Sequence, residues 1–161
     1  MIANAFERDL TRDELRSVVT SLATSSGLWQ PLVRHSPGRR IYEELVRSEH
    51  LAVWLICWME GHDTGFHDHD GSSGAVIVAE GTLREERLRV GGPPAGSVYV
   101  PGDVFDFAGP DIHRVVHPGG APAVSIHAYS PPLRGMGSYV WEENGALRRE
   151  LLAGDEELKP L

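Results

Sequence analysis

A mainly β fold, an antiparallel barrel or sandwich behind an N-terminal helical cap, is what this 161-residue sequence predicts. Three observations carry that expectation. A capping box opens an amphipathic run near the start. From His50 the texture changes to β-branched and aromatic residues. Glycines then punctuate short apolar runs as far as about residue 132, the pattern of short strands joined by tight turns.

Taken in order, Thr11-Arg12-Asp13-Glu14 sets a hydroxyl cap three residues before a glutamate, and Leu15, Val18, Val19 and Leu22 repeat at helical spacing. Gly27 marks the end of that helix, and a loop with Pro31, Pro37 and Gly38 follows. Tyr42-Glu43-Glu44-Leu45-Val46 reads equally as a short helix or a strand. Leu51-Ala52-Val53-Trp54-Leu55-Ile56-Cys57-Trp58 reads as a buried strand, as do Ala75-Val76-Ile77-Val78-Ala79 and Ser97-Val98-Tyr99-Val100. A last helix is expected over Glu142–Leu152, with Asp155–Leu161 fraying. One domain spans residues 1–161: a helical cap over about 1–45, a barrel core over about 50–132 and a tail over about 140–161.

Composition narrows the function classes. With 23 acidic against 15 basic residues the net charge is −8, which argues against a nucleic-acid or anionic-membrane partner. The single cysteine, Cys57, cannot form an internal disulfide and reads as a small buried hydrophobe. The start, Met1-Ile2-Ala3-Asn4-Ala5-Phe6, lacks the basic-then-apolar order of a signal peptide, and no long apolar stretch suggests a span. A cytoplasmic, monomeric protein is the expectation.

The chemistry concentrates in His67-Asp68-His69. On a strand, His67 and His69 point the same way, so two imidazoles stand side by side as a metal site requires. Alone, such a pair also fits a surface turn. His113 supplies a third imidazole about one hairpin downstream. His117 reads as a loop residue before Pro118-Gly119-Gly120, and His62 as a surface residue. On the strand Ser125-Ile126-His127-Ala128-Tyr129, the serine, histidine and tyrosine share one face, while Val124, Ile126 and Ala128 share the other. Three polar groups facing inward must satisfy one another or a ligand, and a Ser→His→Tyr relay does so.

The spacing Gly61-(x5)-His67-x-His69-(x4)-Gly74-(x6)-Gly81 resembles the first motif of the cupin superfamily, with Gly74 where glutamate is usual. A jelly-roll-like cupin barrel is the implied fold. Over about residues 40–134 the chain is similar to the cysteine dioxygenase family of thiol dioxygenases. The similarity runs through Cys57-Trp58-Met59-Glu60-Gly61, His67-Asp68-His69, Leu83-Arg84-Glu85, Ile112-His113-Arg114-Val115 and Ser125-Ile126-His127-Ala128-Tyr129-Ser130-Pro131-Pro132. That resemblance implies Fe(II) held by His67, His69 and His113, with O2 and a small thiol, most simply L-cysteine, as the partners of an oxidation to the sulfinic acid. It also implies catalytic roles for Ser125, His127 and Tyr129, and favours a cis Ser130–Pro131 bond. Vertebrate members link a cysteine to the tyrosine; Gly74 stands at that position here, so Tyr129 is expected unmodified, as in bacterial members. For the substrate carboxylate the resemblance points to Arg40 or Glu44. Arg40 would clamp a carboxylate and Glu44 would favour an amine; we lean to Arg40, with Tyr42 facing the same pocket. Rival readings are a dioxygenase for 3-mercaptopropionate or an aminothiol, and a metal- or ligand-binding cupin without turnover.

Overall fold

Thr11 caps the first helix as its sequence requires. Its Oγ1 accepts from the Glu14 amide at 3.3 Å, and the Glu14 carboxylate accepts from the Thr11 amide at 2.7 Å. The helix α1 (Arg12–Thr24) buries Leu15, Val19 and Leu22 on one face. The structure is a computed structural model and describes residues 6–153, so the expected fraying of Asp155–Leu161 lies outside the described residues.

Eleven strands follow: β1 (Ile41–Arg47), β2 (Ala52–Trp58), β3 (His67–Asp68), β4 (Ser73–Glu80), β5 (Leu83–Arg89), β6 (Gly92–Tyr99), β7 (Val104–Phe107), β8 (His113–Val116), β9 (Ala123–Ser130), β10 (Gly135–Trp141) and β11 (Leu147–Ala153). They form a five-stranded sheet, ordered β1-β2-β9-β4-β7, and a six-stranded sheet, ordered β11-β10-β3-β8-β5-β6.

Period-two alternation sorts the side chains of the five-stranded sheet into two layers. Its outer face carries Val53, Leu55, Cys57, Ala75, Ile77, Val124, Ile126 and Ala128 against Leu15, Val19 and Leu22 of α1. Cys57 is thus the small buried hydrophobe expected. Its inner face carries Ile56, Trp58, Val76, Val78, Phe105, Phe107 and Tyr129, meeting Leu83 and Val115 of the six-stranded sheet. The helix also holds an ion pair to the barrel, since Arg12 and Arg16 reach Asp106 on β7 at 3.2 and 2.8 Å. From there Arg87 donates to the Asp106 carbonyl at 2.5 Å and to Glu85 at 3.0 Å.

The structure resolves one ambiguity and corrects two boundaries. Residues 42–46 are strand, so sheet pairing begins at Ile41 rather than near 50, inside the segment expected to be helical cap. The helix expected over Glu142–Leu152 is instead the β10–β11 hairpin, in register from Gly135↔Ala153 to Trp141↔Leu147. Asn144 and Gly145 explain the difference: Gly145 sits at φ +80°, the Asn144 side chain accepts from the Ala146 amide, and the Glu142 amide donates to Ala146. Such a turn reverses the chain where a helix would continue. The Ser130–Pro131 bond is cis, as expected.

Candidate metal centre

Strand pairing brings the three histidines together. β3 lies between β8 and β10, and His67 pairs directly with His113, the first residue of β8. His69 lies in the turn after β3, tied by its amide to the Gly109 carbonyl at 2.9 Å. Ring centroids are 4.7 Å apart for His67–His69, 4.7 Å for His67–His113 and 5.1 Å for His69–His113. All three residues are buried, and each offers a ring nitrogen within 4.8 Å of the others, close enough to hold one metal ion.

Second partners fix how these rings face. His67 Nδ1 donates to the Gly65 carbonyl at 2.9 Å, which leaves the Nε2 lone pair for the centre. His113 Nδ1 lies 2.8 Å from Glu85 Oε1, so its Nε2 is likewise directed inward. Glu85 on β5 is 2 % exposed. Burial pushes its carboxyl above the ordinary glutamate range, against the opposing pull of the Arg87 guanidinium. Sequence reading missed this residue as part of the site. Its signal was parity, because Leu83 and Glu85 share the inward face of β5.

Asp68, between His67 and His69, faces the C-terminal hairpin. Burial raises its carboxyl, but the Arg149 guanidinium and the Tyr139 hydroxyl outweigh that and hold it far below the ordinary aspartate range. A carboxyl depressed in the folded state stabilises the fold above its unfolded pKa and loses that contribution as pH falls. Metal-free protein is therefore expected to lose melting temperature below pH ~4, the ordinary aspartate value. An Asp68→Asn variant should show a flatter melting curve between pH 5 and pH 3; an equal fall in both proteins would contradict this.

On the opposite wall, Ser125 Oγ lies 2.7 Å from His127 Nε2, and His127 Nδ1 lies 3.3 Å from the Tyr129 hydroxyl. The relay has an anchor not foreseen: the Trp58 indole donates to Ser125 Oγ at 2.8 Å. The Tyr129 ring is 5.4 Å from that of His69, so the two constellations meet.

Gly74 pairs with Tyr129 across β4 and β9, and the Phe107 ring occupies the space beside it. A Cβ at Gly74 would fall 2.3 Å from Phe107 Cζ. That ring stacks on His69 at 4.3 Å and lies 4.4 Å from His113, so it cannot withdraw cheaply. Gly74→Ala is expected to cost ~1–3 kcal/mol by overpacking, with partial recovery on adding Phe107→Leu. Denaturant unfolding of both variants tests this.

Arg40 is 8 % exposed, with its guanidinium carbon 5.3 Å above the Trp58 ring. With Tyr42 it lines a cleft of about 310 Å³ that also touches Arg34, Arg39 and Glu43. A second cleft of about 310 Å³ shares Arg39 and Arg40 and reaches His62 and Asp63. Glu44, the alternative to Arg40, is exposed and bonded to Arg47 at 2.7 Å. His62 is not a surface residue as expected but is buried. Its Nδ1 accepts from the Met59 amide at 3.0 Å and its Nε2 reaches the Pro37 carbonyl at 3.2 Å. His117 is the loop residue expected, its Nε2 2.9 Å from the Ala121 carbonyl.

Two antiparallel sheets closed around a three-histidine centre define a cupin, or double-stranded β-helix, protein. Solved structures share this fold. A Thermus thermophilus protein aligns with a TM-score of 0.57 at 20 % identity, over 63 % of this chain and 92 % of its own. A Klebsiella pneumoniae protein with a double-stranded β-helix domain aligns with a TM-score of 0.55 at 15 % identity, over 92 % and 96 %. A cupin superfamily protein of Desulfitobacterium hafniense gives 0.54 at 14 % identity, over 64 % and 87 %. Residues 1–95 match the cysteine dioxygenase type I family, and the chain belongs to that family. It is also 30 % identical over 92 residues to cysteine dioxygenase type 1 of Danio rerio, covering 51 % of this chain and 46 % of that protein. The chain thus spans about half the length of the curated relative it matches. No helix among the described residues is long and apolar enough to cross a membrane.

Proposed function

We propose that this chain is an Fe(II)-dependent thiol dioxygenase that converts L-cysteine to its sulfinic acid with O2. The observation that carries this reading is the meeting of three buried imidazoles with the Ser125–His127–Tyr129 relay across one interior. Three neutral nitrogen donors with no carboxylate suit a divalent ion that keeps positions open for other ligands. Fe(II) held by His67, His69 and His113 would supply the redox chemistry that couples a thiolate to dioxygen. Both atoms of O2 enter the sulfinate, and the thiolate supplies the electrons, so no external reductant is needed.

The protein's own groups then have defined tasks. The Trp58 indole can only donate, so Ser125 Oγ accepts from it and turns its hydrogen to His127 Nε2. His127 Nδ1 then donates to the Tyr129 oxygen, which directs the phenolic hydrogen toward the three-histidine side. There it can hydrogen-bond substrate or oxygen. His67, His69 and His113 hold the ion, and Glu85 keeps His113 in the ligating tautomer. Arg40 takes the substrate carboxylate and Tyr42 flanks it. The burial of Arg40 above Trp58, with Glu44 exposed and occupied by Arg47, favours a carboxylate-bearing thiol over an aminothiol.

Anaerobic reconstitution with Fe(II), followed by oxygen uptake with cysteine, 3-mercaptopropionate and cysteamine, tests the assignment. Cysteine should consume one O2 per sulfinate formed, and Arg40→Ala should raise KM for cysteine without changing that for cysteamine. Absence of thiol-dependent uptake with all three overturns the enzyme assignment. Faster turnover of cysteamine overturns the role of Arg40.

A further inference from the structure

The strand that carries the first two histidines is very short. β3 has two residues, His67 and Asp68, and its ladder consists of His67 with His113 on one side and Gly137↔Asp68 and Ser138↔His67 on the other. A ladder of this length specifies register weakly, and a slip of one residue would turn the His67 imidazole to the wrong face and shift the turn that carries His69. Something beyond backbone pairing must fix it.

Asp68 supplies that fastening. The residue is 4 % exposed, and its side chain accepts five hydrogen bonds. One is local, from the Asp70 amide at 3.0 Å. The other four come from the C-terminal hairpin: the Gly137 amide at 3.1 Å, the Tyr139 hydroxyl at 2.5 Å, and Arg149 Nε and an Arg149 terminal nitrogen at 2.8 and 2.9 Å. The paired Arg149 bonds match guanidinium to carboxylate in the bidentate manner. Gly137 makes room for them, because a Cβ there would fall 2.2 Å from Arg149 Nε and 2.6 Å from Asp68 Oδ2. Tyr139 and Arg149 face each other in the hairpin register, and the Tyr139 amide also bonds the Phe66 carbonyl at 2.9 Å.

We infer that Arg149 and Tyr139 are positioning residues for the metal centre. Together with Gly137 they clasp Asp68 and so fix the backbone from which His67 and His69 project. They touch neither metal nor substrate and act through the carboxylate between the two ligands. Both lie beyond the residues matched to the cysteine dioxygenase family, and Arg149 falls where a helix is expected from sequence and a strand is found. The assignment rests on the reading of the three histidines as a metal site.

Co(II) serves as the probe, because its absorption reports ligand geometry and its release to a chelator can be timed. Wild type, Arg149→Gln, Arg149→Lys and Tyr139→Phe are compared as full-length chains, with the melting temperature of each apo-protein recorded alongside. Arg149→Gln should release Co(II) about 10–100-fold faster than wild type, the usual effect of removing a partner behind metal ligands. Arg149→Lys should restore part of the retention, and Tyr139→Phe should show a smaller acceleration. A lowered apo melting temperature with release rates and spectra within twofold of wild type would mean a merely structural contact and overturns the assignment. If Arg149→Gln does not fold, the lysine and phenylalanine variants decide by the same criterion. Wild type that takes up no Co(II) overturns the metal reading as well; wild type that binds it while all folded variants match it overturns this inference alone.

Discussion

His113→Ala is expected to abolish thiol-dependent oxygen uptake, by at least ~10³-fold, the several kcal/mol a bound metal contributes to such a reaction. Two losses combine. One of three imidazoles disappears from a donor set whose nitrogens lie within 4.8 Å of one another. Glu85, 2 % exposed, is also left behind without the ring it bonded at 2.8 Å. Burial pushes that carboxyl above its ordinary range, and Arg87 and Tyr99 remain as its partners. Metal analysis after reconstitution should give well below one ion per chain, with the barrel retained by circular dichroism. Full metal occupancy with normal turnover would remove His113 from the site.

Tyr129→Phe separates holding a metal from using it. The hydroxyl closes the relay, 3.3 Å from His127 Nδ1, while the ring packs in the inner core against Phe107 and His69. Removing one oxygen keeps that packing. Fe(II) content should be unchanged while sulfinate formation drops about 10²-fold, the range seen when a proton-managing group is removed. A variant as active as wild type would leave a protein that binds metal and ligand without needing the relay, which is the signature of a binding cupin. Loss of iron together with activity would show instead that Tyr129 serves the fold.

Much of this site was legible because strands have a period of two. Ser125, His127 and Tyr129 fall on a shared face by counting alone, and the inner and outer layers of β9 divide as that counting requires, whereas His69 joins His67 from the turn after β3 rather than along a strand. What counting could not reach were contacts between distant strands. Glu85 sits in Leu-Arg-Glu-Glu-Arg-Leu-Arg, which reads as a solvated strand until His113 is placed beside it. Trp58 reads as core, and its N–H finds Ser125 only because β9 brings that serine diagonally across from it. The hairpin failed for a local reason. Its glutamates, leucines and arginines favour a helix, but Asn144-Gly145 is a turn signal that reverses the chain. Arg40 immediately precedes β1 and Glu44 lies within it, and only their surroundings, buried for one and exposed for the other, tell them apart.

The path of ion pairs and hydrogen bonds from Arg12 and Arg16 through Asp106, Arg87 and Glu85 to His113 has a consequence for motion. A terminal helix ordinarily opens on its own, at a free energy well below that of global unfolding. Here α1 also covers the outer face of β9, the strand that carries Ser125, His127 and Tyr129, so the helix and the centre are expected to open together. A ligand that binds only the closed form raises the free energy of every opening that dismantles it. Metal loading is accordingly expected to slow amide hydrogen exchange in Leu15–Leu22, on the far side of the sheet from the ion. Exchange there that ignores the metal would mean that the helix breathes independently.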